Sequence, residues 1–449
     1  MANPRSRRVV VSGLGPVSGL GIGIEPTWEA VVQGACAVGP IEAFDPGGFD
    51  CRIAAEVQGL KINAHVPKSY RKATKVMARD TQLAVIAADH AAKDARLITK
   101  GTAANGEEHS YEGPRMGCHI GAGLIAAELD ELSGALATSR DADGRFDIRA
   151  WGREGMQNLY PLWLLKYLPN MLACHVTIIH ETQGPSNTIT CGDTSAALSI
   201  GESLRVIQRG AADLCFCGGA DSKINPMAFL RQLLAERLTT RHNDTPGSAV
   251  RPFCKTAAGT ALGEGGGIAI LEALETFQQR AAHTEGLRAY GEVIGFGASQ
   301  TIHVESRNRL PDPDGEGIEL AVEAALNDAS IGPDQIDLIV PYGLGEPACD
   351  RAEANALRRL LGARLADVPL TPTKALAGHC CAGAGALDLC VAAAALAEQT
   401  VPARINCDQP LDGLNAAAAP STPADLKHVL VVSTGMGGQN AALVLRRME

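Results

Sequence analysis

The sequence predicts an α/β protein built from two similar halves. Apolar strand patterns alternate with helical patterns from Arg8 onward, and the same alternation begins again at Arg288. Alternation of this kind is typical of α/β folds. The composition agrees, because 46% apolar residues and 49 glycines in 449 residues suit a large core crossed by many tight strand-helix turns.

Each half contributes its own series of elements. In the first half we predict strands at 8–12, 116–120, 188–190, 213–217 and 268–271, and helices at 26–33, 80–93, 123–136 and 194–209. In the second half we predict strands at 288–296, 335–340, 429–432 and 441–445, and helices at 315–329, 349–361 and 378–399. A charged helix at 274–282 separates them, so we expect domains at 1–272 and 286–449, and we expect exposed loops at 100–114 and 138–155.

Composition and charge exclude several classes of function. The net charge of −10 argues against a nucleic-acid partner. No apolar run reaches the roughly 18 residues that a membrane helix needs, and the basic arm at 1–8 lacks the apolar core of a signal peptide, so we expect a cytoplasmic protein. The thirteen cysteines contain no Cys-x-x-Cys pair and fit reduced packing residues, so we predict no metal site. We also expect no cofactor.

The segment 184–201 holds the most informative local pattern. It predicts a turn, a short strand, a tight bend at Gly192 and a helix. A side chain on such a bend lies at a helix N-terminus, where free backbone N–H groups stabilise an anion. Cys191 and Asp193 are the candidates for a chemical or a capping role there.

Further motifs occur in a fixed order along the chain. They are Val-Val-Val-Ser-Gly-Leu-Gly-Pro-Val-Ser (9–18), Leu-Pro-Asn-Met (168–171), Gly-Gly-Ala-Asp (218–221), Arg-Pro-Phe (251–253), Leu-Gly-Glu-Gly (262–265), Lys-Ala-Leu-Ala-Gly-His (374–379) and Ser-Thr-Gly-Met-Gly-Gly (433–438). With these motifs the chain resembles the β-ketoacyl-acyl carrier protein synthases over nearly its full length. The resemblance implies a thiolase-like fold, in which two duplicated halves form five αβαβα layers around an inner pair of helices that follow Asp193 and His379.

The resemblance also implies where catalytic groups should lie, and there the chain departs from the family. The nucleophilic cysteine of the family is replaced by Asp193, and Cys191 lies two residues too early. The second histidine and the lysine of the family remain as His379 and Lys374, but the first histidine is replaced by Tyr342.

Two regions around the expected site also differ from the family. Met436 occupies the usual phenylalanine position of the gate, and Cys254 lies in a stretch that is usually acidic. On the predicted helix after Gly123, we expect Leu124, Ala127 and Leu129 to line the acyl tunnel at a dimer face.

Asp193 is a poor substitute for a thiol, because a helix N-terminus makes a carboxylate more stable and less nucleophilic. We therefore expect Asp193 to cap the helix by accepting the backbone N–H of Ser195 or Ala196. His379 and Lys374 are either structural remnants or catalytic groups.

The function implied is that of a β-ketoacyl synthase-like subunit of fatty-acid or polyketide biosynthesis. We expect it to lack condensing activity and to pair with an active ketosynthase as a chain-length factor does. Its expected partners are an acyl carrier protein and a second synthase-type chain, in a heterodimer or a homodimer. Two alternatives remain open: a decarboxylase or acyltransferase that works without an acyl-cysteine, and a true synthase that uses Cys191.

Overall fold

The structure, a computed structural model, describes residues 7–104, 106–303 and 311–448. Its strands are β1 (Val9–Ser18), β2 (Gly21–Ile22), β3 (Gly39–Pro40), β4 (Ile53–Ala55), β5 (Met116–Gly121), β6 (Ser186–Ile189), β7 (Leu214–Asp221), β8 (Leu262–Gly263), β9 (Gly265–Ala273), β10 (Gly291–Gln300), β11 (Leu338–Val340), β12 (Thr400–Val401), β13 (Thr422–Pro423), β14 (His428–Thr434) and β15 (Gln439–Arg446). Its helices are α1 (Ile24–Gln33), α2 (Arg79–Asp94), α3 (Leu129–Ala137), α4 (Ile148–Arg153), α5 (Trp163–Lys166), α6 (Met171–His180), α7 (Ser195–Gln208), α8 (Pro226–Leu234), α9 (Leu274–Ala281), α10 (Glu316–Ala329), α11 (Pro347–Leu361), α12 (Lys374–Ala377) and α13 (Ala384–Ala397). None of the helices in these ranges is long and apolar enough to cross a membrane.

The two halves repeat one strand arrangement. In the first half β5 pairs in parallel with β7, β7 pairs antiparallel with β9, and β9 pairs antiparallel with β1. In the second half β11, β14, β15 and β10 pair in the same sequence of parallel, antiparallel and antiparallel contacts. The predicted duplication is therefore confirmed strand by strand.

The halves meet edge to edge through β1 and β10. This junction is short, with the register pairs Val10↔Glu292 and Val11↔Gly291. It makes the main sheet continuous in the order β11-β14-β15-β10-β1-β9-β7-β5-β6. Beyond the junction the two halves of the sheet are separated by helices.

The helices form three layers around these sheets. The inner pair is α7, which packs on β5 and β7 and also on β15, and α13, which packs on β9 and also on β14. On the outer faces α2 packs on β1 and β9, and α10 packs on β10 and β15. The five-layer thiolase-like architecture that the resemblance implies is thus the architecture of the chain.

The composition of the inner helices explains their position. Thirteen of the fourteen residues of α13 are buried, so this helix has no solvent face, and half of its residues are alanine. A Cβ atom placed on Gly385 would lie 3.2 Å from the backbone nitrogen of Ala197 in α7. The small side chains therefore let the two inner helices approach closely.

Three local predictions differ from the structure. The helix predicted at 378–399 is α13, which begins only at Ala384. The helix predicted at 123–136 begins only at Leu129, and residues 122–128 form an irregular segment after β5. The spacing of the apolar residues in 122–128 resembles that of a helix. In the structure these residues continue from the end of β5 without forming a helix. The loop predicted at 138–155 contains the short helix α4, whose first turn is capped by Asp147 through the backbone N–H of Arg149.

Candidate functional site

Four segments from both halves converge on one buried point. Asp193 lies on the bend between β6 and α7, where Gly192 adopts a φ of 61°. Asp193 is only 6% exposed. Arg237 follows α8, Tyr342 follows β11, and His379 follows α12. The structure thus brings together three of the residues that the sequence singled out and adds Arg237, which it did not.

Asp193 is held by side chains rather than by the helix. Its Oδ2 atom accepts hydrogen bonds from Nη2 of Arg237 at 2.5 Å and from the hydroxyl of Tyr342 at 2.7 Å, and it lies 3.2 Å from Nε2 of His379. The prediction that Asp193 caps α7 is wrong, because its carboxylate contacts these three side chains and no hydrogen bond joins it to the backbone N–H of Ser195 or Ala196. The N-cap residue of α7 is Thr194, whose side chain makes no capping hydrogen bond. The buried guanidinium attracts the carboxylate more strongly than two free N–H groups can.

The charges of this cluster stabilise each other. Burial opposes the ionisation of Asp193, but the charge of Arg237 and the contact with His379 outweigh it and hold the pKa of Asp193 well below its ordinary value. Burial likewise opposes the charge of Arg237, and Asp193 raises the pKa of that guanidinium nevertheless. The pair is therefore a fully ionised salt bridge inside the protein.

The two other members of the cluster are neutral. Burial lowers the pKa of His379 even though Asp193 favours its charged form, so the imidazole is uncharged at neutral pH and donates from Nε2 to Asp193. Burial also raises the pKa of Tyr342 well above its usual value, which keeps the phenol protonated. The two rings meet edge to face with centroids 5.7 Å apart.

Lys374 lies behind the cluster and is not free. Its Nζ donates to Oδ2 of Asp388 on α13 at 2.5 Å, and it lies 5.4 Å from the centroid of the Tyr342 ring. Both charged groups are almost fully buried. Lys374 is therefore held by its ion pair with Asp388 and lies over the ring of Tyr342 instead of facing open space.

Two carboxylates of α11 position the loop that carries Tyr342. Glu353 accepts the backbone N–H groups of Tyr342 and Gly343 at 2.8 and 2.9 Å, and Asp350 accepts those of Phe253 and Gly345 at 2.7 and 3.0 Å. Burial raises the pKa of Glu353 to about 7 and that of Asp350 to about 8. These residues were not found from the sequence, where they read only as acids on an amphipathic helix.

A cavity of about 200 Å³ opens beside Asp193. Leu124 and Met436 line it together with Arg237 and the thiol residue Cys381, whereas the described lining does not include Cys191. The lining residues also include Lys223, Asp221, Gln232 and Gln439.

The remaining residues predicted for the site lie elsewhere. Ala127 is half-buried and packs on the core of the first half, and Leu129 is 42% exposed at the start of α3. Cys191 is half-buried, and its backbone N–H donates to Oγ of Ser195 at 2.8 Å. The tunnel and gate roles stay predictions for Leu124, Ala127, Leu129 and Met436.

The cluster does not favour a metal ion. The ligand atoms of Asp193, His379 and Cys381 lie within 4.8 Å of one another, which is close enough for a shared ion. Arg237 already supplies the positive charge at 2.5 Å from the carboxylate, and a second cation there would be repelled.

Arg237 was missed because a single arginine after a helix gives no local signal in a sequence. Its burial, at 5% exposure, follows from the return of the chain to the centre of the molecule, where its backbone carbonyl accepts the N–H of Thr260 at 2.8 Å. The only available hint was charge complementarity, because a buried aspartate needs a cation.

Comparisons with known proteins agree with this fold. The family model described as "Beta-ketoacyl synthase, N-terminal domain" matches residues 6–276, and "Beta-ketoacyl synthase, C-terminal domain" matches residues 290–408. The chain therefore belongs to the β-ketoacyl synthase family.

Relatives match over almost the whole length. The "3-oxoacyl-[acyl-carrier-protein] synthase 2" of Vibrio cholerae is 32% identical, covering 98% of this chain and 99% of the relative, and that of Coxiella burnetii is 32% identical with the same coverage. Among solved structures, "The ishigamide ketosynthase/chain length factor" has a TM-score of 0.82 at 26% identity and covers 99% of this chain and 100% of its own. A β-ketoacyl synthase from Burkholderia phymatum has a TM-score of 0.81 at 23% identity, covers 99% of this chain and 100% of its own, and so agrees in fold.

Proposed function

We propose that this chain is a non-condensing β-ketoacyl synthase-like subunit of a fatty-acid or polyketide system, which pairs with an active ketosynthase in the manner of a chain-length factor. The observation that carries the proposal is the state of Asp193. This carboxylate occupies the family's nucleophile position and is tied to Arg237, Tyr342 and His379 at once.

The chemistry of the cluster opposes condensation. Condensation needs a thiolate that accepts an acyl group and donors that stabilise the oxyanion of the extender thioester. Asp193 has a strongly lowered pKa and a buried counterion, so it is a poor nucleophile. The Nε2 atom of His379 faces Asp193, so this donor is not directed at a substrate.

Features of the exposed surface support binding of a protein partner. Strand β6 is the terminal strand of the main sheet, and of its residues Ser186 and Asn187 are exposed. Many large apolar residues between 124 and 164 are exposed: Leu124, Leu129, Leu136, Phe146, Ile148, Met156, Tyr160, Leu162 and Leu164. Such an apolar surface with a free strand edge is typical of an interface.

Helix α6 contributes little to this partner face. Its apolar residues Met171, Leu172, Val176 and Ile179 are buried inside the chain, although Ile178 is 53% exposed. The reason is that α6 packs on α2, which takes up its apolar side.

An acyl carrier protein is the second proposed partner. Five cations, at Lys61, Lys68, Arg71, Lys72 and Lys75, are exposed within 61–75, and residues 58–79 contain no acid although the chain carries a net charge of −10. This isolated basic surface fits an acidic partner.

The alternatives have less support. A decarboxylase or acyltransferase would use His379 and Lys374, yet both donors are engaged with aspartates. A condensing enzyme based on Cys191 would need that thiol beside His379, whereas the thiol residue in the cluster is Cys381.

The test compares the chain alone with the chain in a pair. The purified protein, incubated with acyl carrier protein loaded with acyl or malonyl groups, should show no acyl adduct by intact mass and form no β-ketoacyl product. Co-expression with a ketosynthase that keeps the family's cysteine and two histidines should give a stable heterodimer and change its product length. An acyl adduct on Cys191, or product from the chain alone, would contradict the proposal.

A further inference from the structure

We propose that His65, Asp89 and His90 form a binding site for a divalent transition-metal ion such as Zn²⁺. This site is separate from the Asp193 cluster and does not depend on the proposed function. The expectation of no metal rested on the spacing of the cysteines, whereas this site is built from two histidines and an aspartate.

Two segments of the chain bring the three side chains together. Asp89 and His90 are neighbours in the second half of α2, and His65 approaches them from the loop after the single helical turn Ile62–Ala64. One ligand atom from each residue, a ring nitrogen or a carboxylate oxygen, lies within 4.8 Å of the other two. The imidazole rings of His65 and His90 have centroids 5.2 Å apart. The three donors therefore converge on one point.

The distances suit a tetrahedral ion after small side-chain rotations. Ligand atoms that bind Zn²⁺ at about 2.0–2.2 Å lie about 3.3–3.5 Å apart in a tetrahedral site. Nδ1 of His65 lies 2.8 Å from Oδ2 of Asp89, so these two atoms need to separate by only about 0.5 Å. The third ligand atom, on His90, needs to approach the other two by a comparable amount. Neither change requires movement of the backbone.

The ring of His90 has a nitrogen that is available for a ligand. Its Nε2 atom is buried, and none of the described residues forms a hydrogen bond with it. A buried polar atom without a partner is unfavourable, and binding of a metal ion to the lone pair of a neutral imidazole would satisfy it. Gly23 leaves room for this ring, because a Cβ atom there would lie 2.8 Å from Nδ1 of His90.

The donor set selects the class of metal. Imidazole nitrogens suit Zn²⁺, Cu²⁺ and Ni²⁺, whereas Mg²⁺ and Ca²⁺ prefer sites made of oxygen ligands. Three protein ligands leave one tetrahedral position for water or a small ligand. His90 also lines a cavity of about 520 Å³, which gives an ion a route to the ring.

Lys93 competes with a metal ion for Asp89. Its Nζ atom donates to Oδ2 of Asp89 at 2.6 Å from one turn further along α2. The Lys93 side chain is 56% exposed, so it can turn into solvent when a metal binds, whereas the Asp89 side chain is 5% exposed and stays in place. Removal of the Lys93 charge should therefore strengthen metal binding.

The test uses the full-length protein after treatment with a chelator, and Zn²⁺ and Co²⁺ as the probes. Titration calorimetry with Zn²⁺ should show one tight site per chain, and its occupation should raise the melting temperature, because an ion that binds the folded chain stabilises it. The visible spectrum with Co²⁺ should show the bands of a tetrahedral ion and no sulfur-to-metal charge-transfer band, since the proposed ligands include no thiolate.

Four variants test the residues of the site. His65→Ala and His90→Ala should each weaken Zn²⁺ binding by more than about 100-fold, because loss of a partner behind the ligands alone costs about 10–100-fold. Lys93→Gln should strengthen binding. His283→Ala, which removes an exposed histidine elsewhere, should bind as the wild type does. Circular dichroism checks that each variant is folded, and each histidine variant tests the site independently of the other.

Three results would overturn the proposal. They are a wild-type protein that binds no Zn²⁺ in this titration, an affinity that stays unchanged in both His65→Ala and His90→Ala, and a Co²⁺ spectrum that shows thiolate ligation. In the last case the ion would occupy a cysteine-containing site, such as one that includes Cys381.

Discussion

At the scale of single residues, we expect the buried Asp193–Arg237 ion pair to have a large effect on the stability of the protein. Removing one partner leaves the other charge buried without compensation, so Asp193→Ala should lower the free energy of unfolding by ~3–5 kcal/mol. Arg237→Met should cost a similar amount, and the double variant should recover part of the loss because no charge is then left unpaired. Urea denaturation of the three variants measures this coupling.

The exposed pair Arg447–Asp425 provides the control. Its side chains are 40% and 69% exposed, so solvent screens the pair and Asp425→Ala should leave the free energy of unfolding close to that of the wild type. If Asp193→Ala lowers the free energy of unfolding no more than Asp425→Ala does, the buried pair does not stabilise the fold.

The pH dependence of stability has a defined sign. Because the folded-state pKa of Asp193 is lowered, its contribution to stability is complete above the unfolded pKa of about 3.9 and is lost as the pH falls below that value.

The same pair determines whether a nucleophile can be restored. In Asp193→Cys, Arg237 should favour the thiolate, but the acylated cysteine is neutral and leaves the guanidinium buried and unpaired. We therefore expect little acylation of the single variant and much more of Asp193→Cys with Arg237→Leu. A penalty of ~3 kcal/mol corresponds to roughly a hundredfold in the equilibrium. Intact mass after incubation with acyl carrier protein measures it.

Acylation alone should not restore condensation. Tyr342→His would have to be added, because one lost oxyanion donor typically costs about 2.7–4 kcal/mol of transition-state stabilisation. The interpretation of Arg237 fails if Asp193→Cys is acylated as fully as the variant that also lacks Arg237.

The sequence alone could identify Asp193, Tyr342 and His379, because each lies in a motif with fixed spacing. It could not identify their contacts. The expected cap for Asp193 followed from local geometry, whereas the observed partner Arg237 is 44 positions away. Long-range pairing depends on the fold and leaves no trace in local spacing.

At the scale of elements, the predicted helices and strands agree with the structure where a regular apolar pattern extends over many residues. The predicted helices around α2, α7, α10 and α11 and the strands around β9 and β15 are confirmed to within a few residues. The segment 122–128 failed, since seven residues are too few to distinguish a helical period from an irregular run. The boundary between domains at 272 and 286 stays a prediction.

The observed position of residues 122–128 makes Leu124 suitable for testing whether the cavity beside Asp193 contributes to an acyl tunnel. Leu124 is 64% exposed and lines the space beside Asp193, at the face proposed for the partner. Leu124→Trp should therefore fill that space and shorten the products of the paired ketosynthase. Chromatography of the products measures the change, with Leu136→Trp on α3 as the control that should have a smaller effect. Equal product profiles for both variants would contradict a tunnel role for Leu124.

At the scale of the whole molecule, the chain keeps the scaffold of its family around the buried Asp193–Arg237 pair. The duplicated halves, the inner helices and the supporting groups Lys374 and Glu353 are all in place. In the function that we propose, the Asp193–Arg237 pair takes the position where an active synthase would bind an acyl group covalently. A protein of this kind can still contribute surfaces to a complex, because its interfaces depend on the outer elements and not on Asp193.

The basic surface at 61–75 tests that contribution directly. Arg71→Glu with Lys72→Glu should weaken binding of the acyl carrier protein by tenfold or more, since two exposed cations become anions facing an acidic partner, and added salt should reduce the difference between variant and wild type. The matched control, Arg364→Glu with Lys427→Glu, makes the same charge change on the other half of the chain and should leave affinity within about twofold. Titration calorimetry at two salt concentrations measures both. Equal losses in the two double variants would show that only net charge matters and would remove 61–75 as the docking surface.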